Sequence, residues 1–177
     1  MKYCSNCGRE VSFGPVPDDE NPRYHCQHCG AIHYQNPNMI VGCLPYWEDK
    51  ILLCKRAIEP RYGLWTLPAG FLEIGETAEA GALRETREEA RADVTIDRLF
   101  SVYSLPQVGQ VYLIFLAKLQ NLDFSAGHES LEVRLFPPDA IPWQEIAFTA
   151  IRFTLEKYVD AGLAGQTSAH LGSREKK

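Results

Sequence analysis

Three glutamates near the middle of the chain are spaced so that a helix would place them on one face. Glu85, Glu88 and Glu89 stand at positions i, i+3 and i+4, and side chains at these intervals are neighbours on a helix surface. Carboxylates this close repel one another, so a bound cation would offset the repulsion. A hard divalent ion, which prefers oxygen ligands, is the natural candidate. The alternative is a solvated helix face that binds nothing.

The residues before the glutamates favour a helix that begins after a loop. Thr77 has the side chain of a good N-cap, and Glu79 would lie in the first turn, close to the positive end of the helix dipole. Residues 67–70 and Gly75 interrupt regular structure just upstream. The sequence therefore predicts a loop followed by a helix over residues 77–91.

The wider stretch over residues 70–92 resembles the signature of the Nudix hydrolase family. The signature is glycine, five residues, glutamate, seven residues, Arg-Glu, an aliphatic residue, any residue, Glu-Glu, any residue, glycine and an aliphatic residue. The matching positions are Gly70, Glu76, Arg84, Glu85, Glu88 and Glu89. Three positions depart: Thr86 replaces an aliphatic residue, Arg91 the second glycine, and Ala92 a bulkier apolar residue. These departures affect packing and the end of the helix rather than the carboxylates.

The resemblance implies a role for each charged residue of the signature. In Nudix enzymes these glutamates bind Mg²⁺ or Mn²⁺, which makes Glu85 and Glu89 the expected principal ligands. Glu88 is expected to be a further ligand or to hold a water molecule, and Glu88 and Glu89 are also assigned to catalysis. Arg84 would orient a neighbouring carboxylate. Glu76 would brace the junction of loop and helix, directly or through metal-bound water.

Two cysteine pairs near the N-terminus form a second cluster of chemically active residues. Cys4 and Cys7 make one pair, Cys26 and Cys29 the other, and eighteen residues separate the pairs. This spacing is typical of a four-cysteine zinc site, and four sulfur ligands would close the coordination shell of a structural Zn²⁺. A redox dithiol is the alternative.

Length, charge and composition limit the classes of protein that fit. The chain of 177 residues has a net charge of −5, which argues against a general nucleic-acid coat protein. No signal peptide or membrane-spanning run is visible, so the cytoplasm and the absence of a membrane partner are expected. A segment of fewer than about 40 residues cannot build a useful hydrophobic core alone. This fits a small ribbon at residues 1–33 that is stabilised by a bound metal. A larger domain over 34–161 and a flexible tail over 162–177 are predicted to follow.

Hydrophobic periodicity predicts the secondary structure of the larger domain. The predicted strands cover residues 39–47, 51–56, 94–104, 110–119 and 131–136, and a second helix is predicted over 141–159. This order of elements resembles the Nudix fold. That fold belongs to the α/β class and is an α/β/α sandwich with a mixed sheet.

The combination of ribbon and signature resembles the zinc-ribbon subgroup of Nudix proteins. It looks closest to the plant-type FAD and ADP-ribose pyrophosphatases and less close to the bacterial NADH pyrophosphatases. The latter carry a Ser-Gln-Pro-Trp-Pro-Phe-Pro motif, and only fragments of it remain over residues 101–107. The resemblance implies metal-dependent hydrolysis of the pyrophosphate bond in a nucleoside diphosphate linked to another moiety, with ADP-ribose or FAD favoured over NADH.

A further catalytic glutamate is expected before the last predicted strand. In the ribbon-bearing enzymes a glutamate at this place binds metal or acts as a base. Glu129 matches the position best and Glu132 is second. The alternative is a solvated loop carboxylate.

Aromatic and basic residues around the signature are candidates for binding the rest of the substrate. Trp65, Phe71 and Tyr103 could stack on an adenine or isoalloxazine ring, although core packing is the alternative for each. Arg56 matches an arginine common in Nudix strands before the signature, and Arg61 is a second candidate for contacting phosphates.

Two other functions share these features. The first is a non-catalytic nucleotide- or RNA-binding module, although such modules often lose the signature glutamates that this chain keeps. The second is removal of nucleotide caps from RNA, which uses the same chemistry. A small-molecule nucleotide is the expected partner, and a homodimer is expected by analogy with related pyrophosphatases.

Overall fold

The computed structural model describes residues 1–161 and 168–174, which form two compact units, residues 1–36 and 37–177. Residues 162–167 and 175–177 of the predicted tail lie outside the described residues.

The first unit is a small three-stranded antiparallel sheet with two cysteine-bearing turns. Its strands are β1 (Ser12–Gly14), β2 (Arg23–His25) and β3 (Ile32–His33), in the order β1-β2-β3. In each turn the amide of a glycine donates to the backbone carbonyl of the first cysteine of the pair. Gly8 donates to the Cys4 carbonyl and Gly30 to the Cys26 carbonyl, both at 2.9 Å. Both glycines have positive φ, near 72°, which explains why glycine follows each pair.

The second unit is built on one mixed sheet of eight strands. These are β4 (Asn38–Trp47), β5 (Lys50–Arg56), β6 (Trp65–Thr66), β7 (Ala69–Phe71), β8 (Val94–Leu105), β9 (Gln110–Leu119), β10 (Ser130–Phe136) and β11 (His170–Ser173). The main order is β10-β5-β4-β9-β8-β11, with β6 beside β5 and β7 beside β4. The β4–β9 and β8–β11 pairs are parallel and the other pairs are antiparallel. The predicted mixed sheet is confirmed.

Two helices cover opposite faces of this sheet. Side chains alternate between the faces of a strand, so Val41 and Cys43 of β4 pack with helix α1 (Ala78–Ala90), whereas Leu44 packs with helix α2 (Thr149–Ala161). Each helix thus buries one apolar face on the sheet, which confirms the α/β/α sandwich.

The start of the second helix was predicted wrongly. The sequence predicts one helix from residue 141, but Trp143–Glu145 form only a 3-10 turn and α2 begins at Thr149. The intervening chain is extended because the Ala147 amide donates to the Trp65 carbonyl at 2.8 Å instead of to a helical partner. Phe148 therefore precedes the helix.

Two short strands and a terminal one were not predicted. The loop expected before α1 contains β6 and β7, which pair with β5 and β4. The prediction of a flexible tail is wrong for β11, which pairs in parallel with residues 101–104 of β8. Four residues offer too short an apolar pattern to distinguish a docked strand from an exposed tail.

Candidate active site

Arg84 is the centre of the charged cluster on α1. Its Nη2 donates to Glu76 Oε1 at 2.8 Å, and its Nη1 donates to Glu85 Oε1 at 2.7 Å and to Glu88 Oε2 at 3.0 Å. The Nη2 group also donates to the Phe71 carbonyl at 3.0 Å. One planar guanidinium with donors in a fixed fork can hold three carboxylates at once. Arg84 thus holds three carboxylates together, and its expected role in orienting them for the reaction stays a prediction.

Glu76 joins the loop to the helix. It accepts from Arg84 and from the Glu73 amide at 2.8 Å, while Thr77 caps the helix by accepting from the Ala80 amide at 3.2 Å. The hydrogen bond from Arg84 holds the pKa of the Glu76 carboxyl below its usual value. A brace at this junction fixes the path by which the chain enters α1.

Glu85 and Glu89 pack against the backbone of the preceding strand. A side chain at Gly70 would overlap the Glu85 carboxylate, so only glycine allows this close approach. Glu89 is only 7% exposed, and its Oε2 accepts from the Ala69 amide at 3.2 Å. The glycine that opens the signature is thereby explained by the carboxylate it accommodates.

Burial makes these two carboxyls unusual acids. Desolvation raises the pKa of Glu85, and it raises the pKa of Glu89 to about 8, with the charges of Glu85 and Glu129 adding to the effect. A carboxylate that is costly to ionise alone gains from a nearby cation. A cation bound beside these two buried carboxyls would therefore favour their ionised forms.

The oxygens left over by Arg84 fit a divalent cation. In the described part of the chain, no hydrogen bond engages Glu85 Oε2, Glu88 Oε1 or Glu89 Oε1. Three carboxylate oxygens are the ligand type that hard cations such as Mg²⁺ and Mn²⁺ bind. The glutamates do not converge as tightly as the cysteines, the one group of three or more candidate ligands within 4.8 Å among the described residues.

The loop that carries Glu129 is fastened to the end of α1. The Ser125 amide donates to the Ala90 carbonyl and the Gly127 amide to the Glu89 carbonyl, both at 3.0 Å. These bonds satisfy carbonyls that a helix end leaves without partners. They also bring Glu129 close enough for its charge to raise the pKa of Glu89.

The signature residues open on a cavity of about 710 Å³. The carboxylates on its wall are Glu73, Glu85, Glu88, Glu89 and Glu129, and Arg84 lies among them. Other wall residues include Ile40, Arg56, Ile58, Arg61, Phe71, Gln110, Tyr112, Phe148 and Arg174. This volume lies within the range typical of small-molecule sites.

Among the predicted substrate-binding residues, Arg56, Arg61 and Phe71 line the cavity. Phe71 is 54% exposed, so its ring is accessible to a ligand. Arg56 donates from Nε to the Pro60 carbonyl at 2.9 Å, and its guanidinium lies 5.1 Å from the Phe148 ring centre.

The predicted stacking role of Trp65 and Tyr103 is corrected. Trp65 is 2% exposed and packs edge-on against Phe136, with ring centres 4.8 Å apart. Tyr103 is 8% exposed and packs against Phe153 at 5.0 Å. Both rings belong to the core on the α2 side of the sheet, where burial of their large apolar area outweighs any use at the cavity.

Several cavity residues were missed. Tyr112 and Gln110 lie on β9, Phe148 precedes α2, and Arg174 follows β11. The alternation of β9 could have singled out Tyr112. Nothing in the sequence signals Arg174, because its position depends on the unexpected docking of β11.

The four predicted cysteine ligands meet in the first unit. Their sulfur atoms all lie within 4.8 Å of one another, and Cys4 and Cys26 are buried. Hydrogen bonds from the backbone amides of Cys29 and His28 help to lower the pKa of Cys26, whereas burial and hydrogen bonds to the other cysteines raise the pKa of Cys7. His33 contacts the cluster through Nε2, 3.3 Å from Cys4 Sγ.

The fold and the signature together define a class of protein. The NUDIX domain family matches residues 37–156, and the Nudix N-terminal family, a zinc ribbon, matches residues 2–35. The chain belongs to the Nudix hydrolase family and carries its zinc-ribbon N-terminal extension.

Individual relatives narrow the comparison. A crystal structure of a NUDIX hydrolase from Nitrosomonas europaea is 56% identical, covers 99% of this chain and 100% of its own, and superposes with a TM-score of 0.93. An ADP-ribose pyrophosphatase from Methanocaldococcus jannaschii is 31% identical over 113 residues, 62% of this chain and 67% of the relative. An NAD-capped RNA hydrolase NudC from Vibrio atlanticus is 29% identical over 179 residues, 96% of this chain.

The chain spans 63% of the length of that NudC protein and 60% of the NudC protein from Shigella dysenteriae. Within the described residues, no helix is both long and apolar enough to cross a membrane. The homodimer expected by analogy stays a prediction.

Proposed function

We propose that this protein hydrolyses the pyrophosphate bond of a nucleoside diphosphate linked to a second moiety, with ADP-ribose or FAD preferred and NADH less favoured. The observation that carries the proposal is the set of signature glutamates, organised by Arg84, on the wall of a cavity of about 710 Å³. The ADP-ribose pyrophosphatase from M. jannaschii supports the substrate class.

The reaction adds water across one bond. The oxygen of the attacking water bonds to one phosphorus atom, the bridging P–O bond breaks, and two monophosphates leave. Bound Mg²⁺ or Mn²⁺ would supply charge neutralisation and a more acidic water, and Glu85, Glu88 and Glu89 would hold it. Carboxylate oxygens suit both metals.

The protein's own residues would position the substrate and remove a proton from the attacking water. Arg84 pairs with Glu85 at 2.7 Å and with Glu88 at 3.0 Å and so holds both carboxylates on the cavity wall. Glu129 lines the same cavity and would accept the proton of the attacking water, the role expected of a general base. Arg56 and Arg61 would contact the phosphates, and the exposed ring of Phe71 would pack on the nucleobase.

The first unit supports a structural role for zinc. Four convergent cysteine sulfurs would complete a tetrahedral Zn²⁺ shell and leave no position for substrate. Thiols that must stay reduced for this purpose fit a reducing compartment, and we place the protein in the cytoplasm.

The test is a substrate panel with products identified by mass. ADP-ribose, FAD and NADH are incubated with and without Mg²⁺ or Mn²⁺. Cleavage of ADP-ribose to AMP and ribose 5-phosphate, only with metal, is expected. Glu85→Gln should abolish it, whereas Glu79→Gln, which changes a carboxylate in the first turn of the same helix, should leave it unchanged. Absence of metal-dependent cleavage across the panel would favour the non-catalytic binding module.

Removal of a nucleotide cap from RNA is the second candidate. It is favoured by the match of 96% of this chain to an NAD-capped RNA hydrolase, while the net charge of −5 weighs against an extended RNA surface. An RNA with a 5′ NAD cap, added to the same panel, distinguishes the two. Faster release of the cap than hydrolysis of free ADP-ribose would make capped RNA the substrate.

A further inference from the structure

The terminal strand β11 is held on the sheet by specific contacts. His170, at its start, packs its ring 5.0 Å from that of Phe100. At Gly172 the backbone lies so close to the rings of Tyr103 and Phe153 that a Cβ atom would come within 2.8 Å of both. The strand is therefore seated in a slot that a larger residue at position 172 would not enter.

This docking brings Arg174 to the wall of the cavity. The Arg174 amide donates to the Ser104 carbonyl at 3.1 Å, continuing the register of β11 along β8. Its side chain lies on the cavity lined by the signature glutamates. A residue some eighty positions beyond the signature thus shares its cavity.

Arg174 lies far across the sheet from the carboxylates. Glu85 packs on β7, which pairs with β4, whereas Arg174 follows β11. Four strand spacings, between β7 and β4, β4 and β9, β9 and β8, and β8 and β11, separate the two places. At about 4.8 Å each, they amount to roughly 19 Å. A diphosphate bound at the glutamates would not extend this far, but the group attached to it would.

The arginine side chains on the cavity wall differ in the contacts that they make. Arg84 uses its donors on three carboxylates and the Phe71 carbonyl. Arg56 is anchored beside Pro60 and Phe148. Arg174 has an exposed side chain, and a guanidinium offers only donors. Its ligand must therefore carry acceptors or negative charge.

We propose that Arg174 is a specificity-determining residue that binds the acceptor-rich group at the end of the substrate farthest from the glutamates. In ADP-ribose that group is a sugar or base bearing hydroxyl or ring-nitrogen acceptors. The inference rests on the proposed function for the identity of the substrate. In physical terms, β11 places Arg174 where it binds the distal group, and Arg174 contributes nothing to cleavage.

The experiment compares ADP-ribose, the complete substrate, with inorganic pyrophosphate, which represents only its diphosphate. Arg174→Ala should raise the KM for ADP-ribose about tenfold, as expected for loss of a charge-assisted hydrogen bond, with kcat within about twofold of wild type. Competitive inhibition by inorganic pyrophosphate, which lacks the distal group, should be unchanged. Arg87→Ala, which removes an equal charge from the exposed outer face of α1, should change neither value.

Two results would overturn the proposal. One is an unchanged KM in Arg174→Ala. The other is equal weakening of ADP-ribose and pyrophosphate, which would place Arg174 at the diphosphate. If wild type cleaves nothing on the panel, the proposed function fails, but calorimetric binding of ADP-ribose to wild type and Arg174→Ala still decides the role of Arg174.

A second variant tests the route by which Arg174 reaches the cavity. Gly172→Leu should displace β11 from Tyr103 and Phe153, and it should raise the KM for ADP-ribose as Arg174→Ala does. Hydrogen exchange of the Arg174 amide reports the displacement. Leu171→Ala, at a neighbouring position that is 77% exposed, is the matched control. A displaced strand with an unchanged KM would contradict the inference.

Discussion

Gly127 packs against Glu88 so closely that any side chain at position 127 would overlap the Glu88 carbonyl oxygen. The contact joins the loop that carries Glu129 to the helix that carries the signature. Because the Gly127 amide also donates to the Glu89 carbonyl, the loop and the helix end share one geometry. The distance between Glu129 and the helix glutamates is therefore set by backbone contact.

Gly127→Ala should lower kcat with ADP-ribose by about 100-fold, the order of effect that follows a displacement of about 1 Å at a catalytic group. The added methyl group must push the loop away from α1 and carry Glu129 with it. The binding of inorganic pyrophosphate should change little, because Arg56 and the helix glutamates remain in place. Steady-state kinetics and pyrophosphate inhibition measure the two effects.

Ser125→Ala is the control for that experiment, since the Ser125 side chain is exposed and its amide bond to Ala90 survives the change. Equal loss of activity in Ser125→Ala and Gly127→Ala would show that the loop tolerates no substitution and that the Gly127 contact has no special role.

Glu129→Gln should lower kcat far more than it raises KM, by about 100-fold or more, because an amide cannot accept the proton of the attacking water. Glu132→Gln is the matched comparison, since Glu132 is the other candidate and contacts Arg134 at 3.5 Å. It should retain near wild-type turnover. Wild-type turnover in Glu129→Gln would remove Glu129 from catalysis, and a reversed result would assign the base to Glu132.

Arg84→Ala should destabilise the metal-free protein by about 1–3 kcal/mol, because Glu76, Glu85 and Glu88 would lose their shared partner. Arg84→Lys should recover only part of this, since one ammonium cannot reproduce the fork. Urea unfolding measures both.

The control for Arg84 is Arg87→Ala, which breaks the exposed pair with Asp93 and should cost no more than about 1 kcal/mol. If saturating Mg²⁺ has no stabilising effect on wild type, the helix glutamates do not form the proposed metal site.

Zinc should be present at about one ion per chain, as a four-cysteine structural site requires. Cys26→Ser should lower that content and unfold the ribbon, because the binding free energy of such a site is also folding free energy. Cys54→Ser, at a buried cysteine of the larger unit, should leave the zinc content unchanged. Metal analysis by mass spectrometry provides the measurement, and a fully folded ribbon without zinc would contradict the prediction.

Acid should weaken the docking of β11. Burial, with the charges of Lys157 and Arg98, lowers the pKa of His170 below its usual value. The unfolded imidazole therefore binds a proton at a higher pH than the folded one, so stability falls as pH drops through about 6.5, the ordinary histidine value. His170→Gln should lack this component. Urea unfolding of both proteins between about pH 8 and pH 5 measures the difference, which should be independent of pH if His170 does not contribute.

The fold and the charged signature were largely predictable because they follow from local periodicity and fixed spacing. The strands β4, β5, β8, β9 and β10 lie within one residue of their predicted bounds at every end, since each alternates or runs apolar between clear turns. Thr77 caps α1 as expected. These features are encoded within ten or so consecutive residues.

What the sequence did not reveal depends on contacts between distant segments. Trp65 looked available for stacking until the sheet placed it beside Phe136. The start of α2 moved because the Ala147 amide pairs with Trp65. Arg174 lines the cavity at the end of β11, where Gly172 fits against Tyr103 and Phe153. None of these partners is near in sequence, so no local pattern could report them.

The docking of β11 also protects the sheet from self-association. Residues 101–104 of β8 would otherwise present unpaired amides and carbonyls along an open border, a template on which a second chain could add a strand. β11 occupies that border and is only four residues long, so little new border is created. A variant in which β11 detaches is thus expected to aggregate as well as to lose affinity, which links solubility and substrate recognition through one short strand.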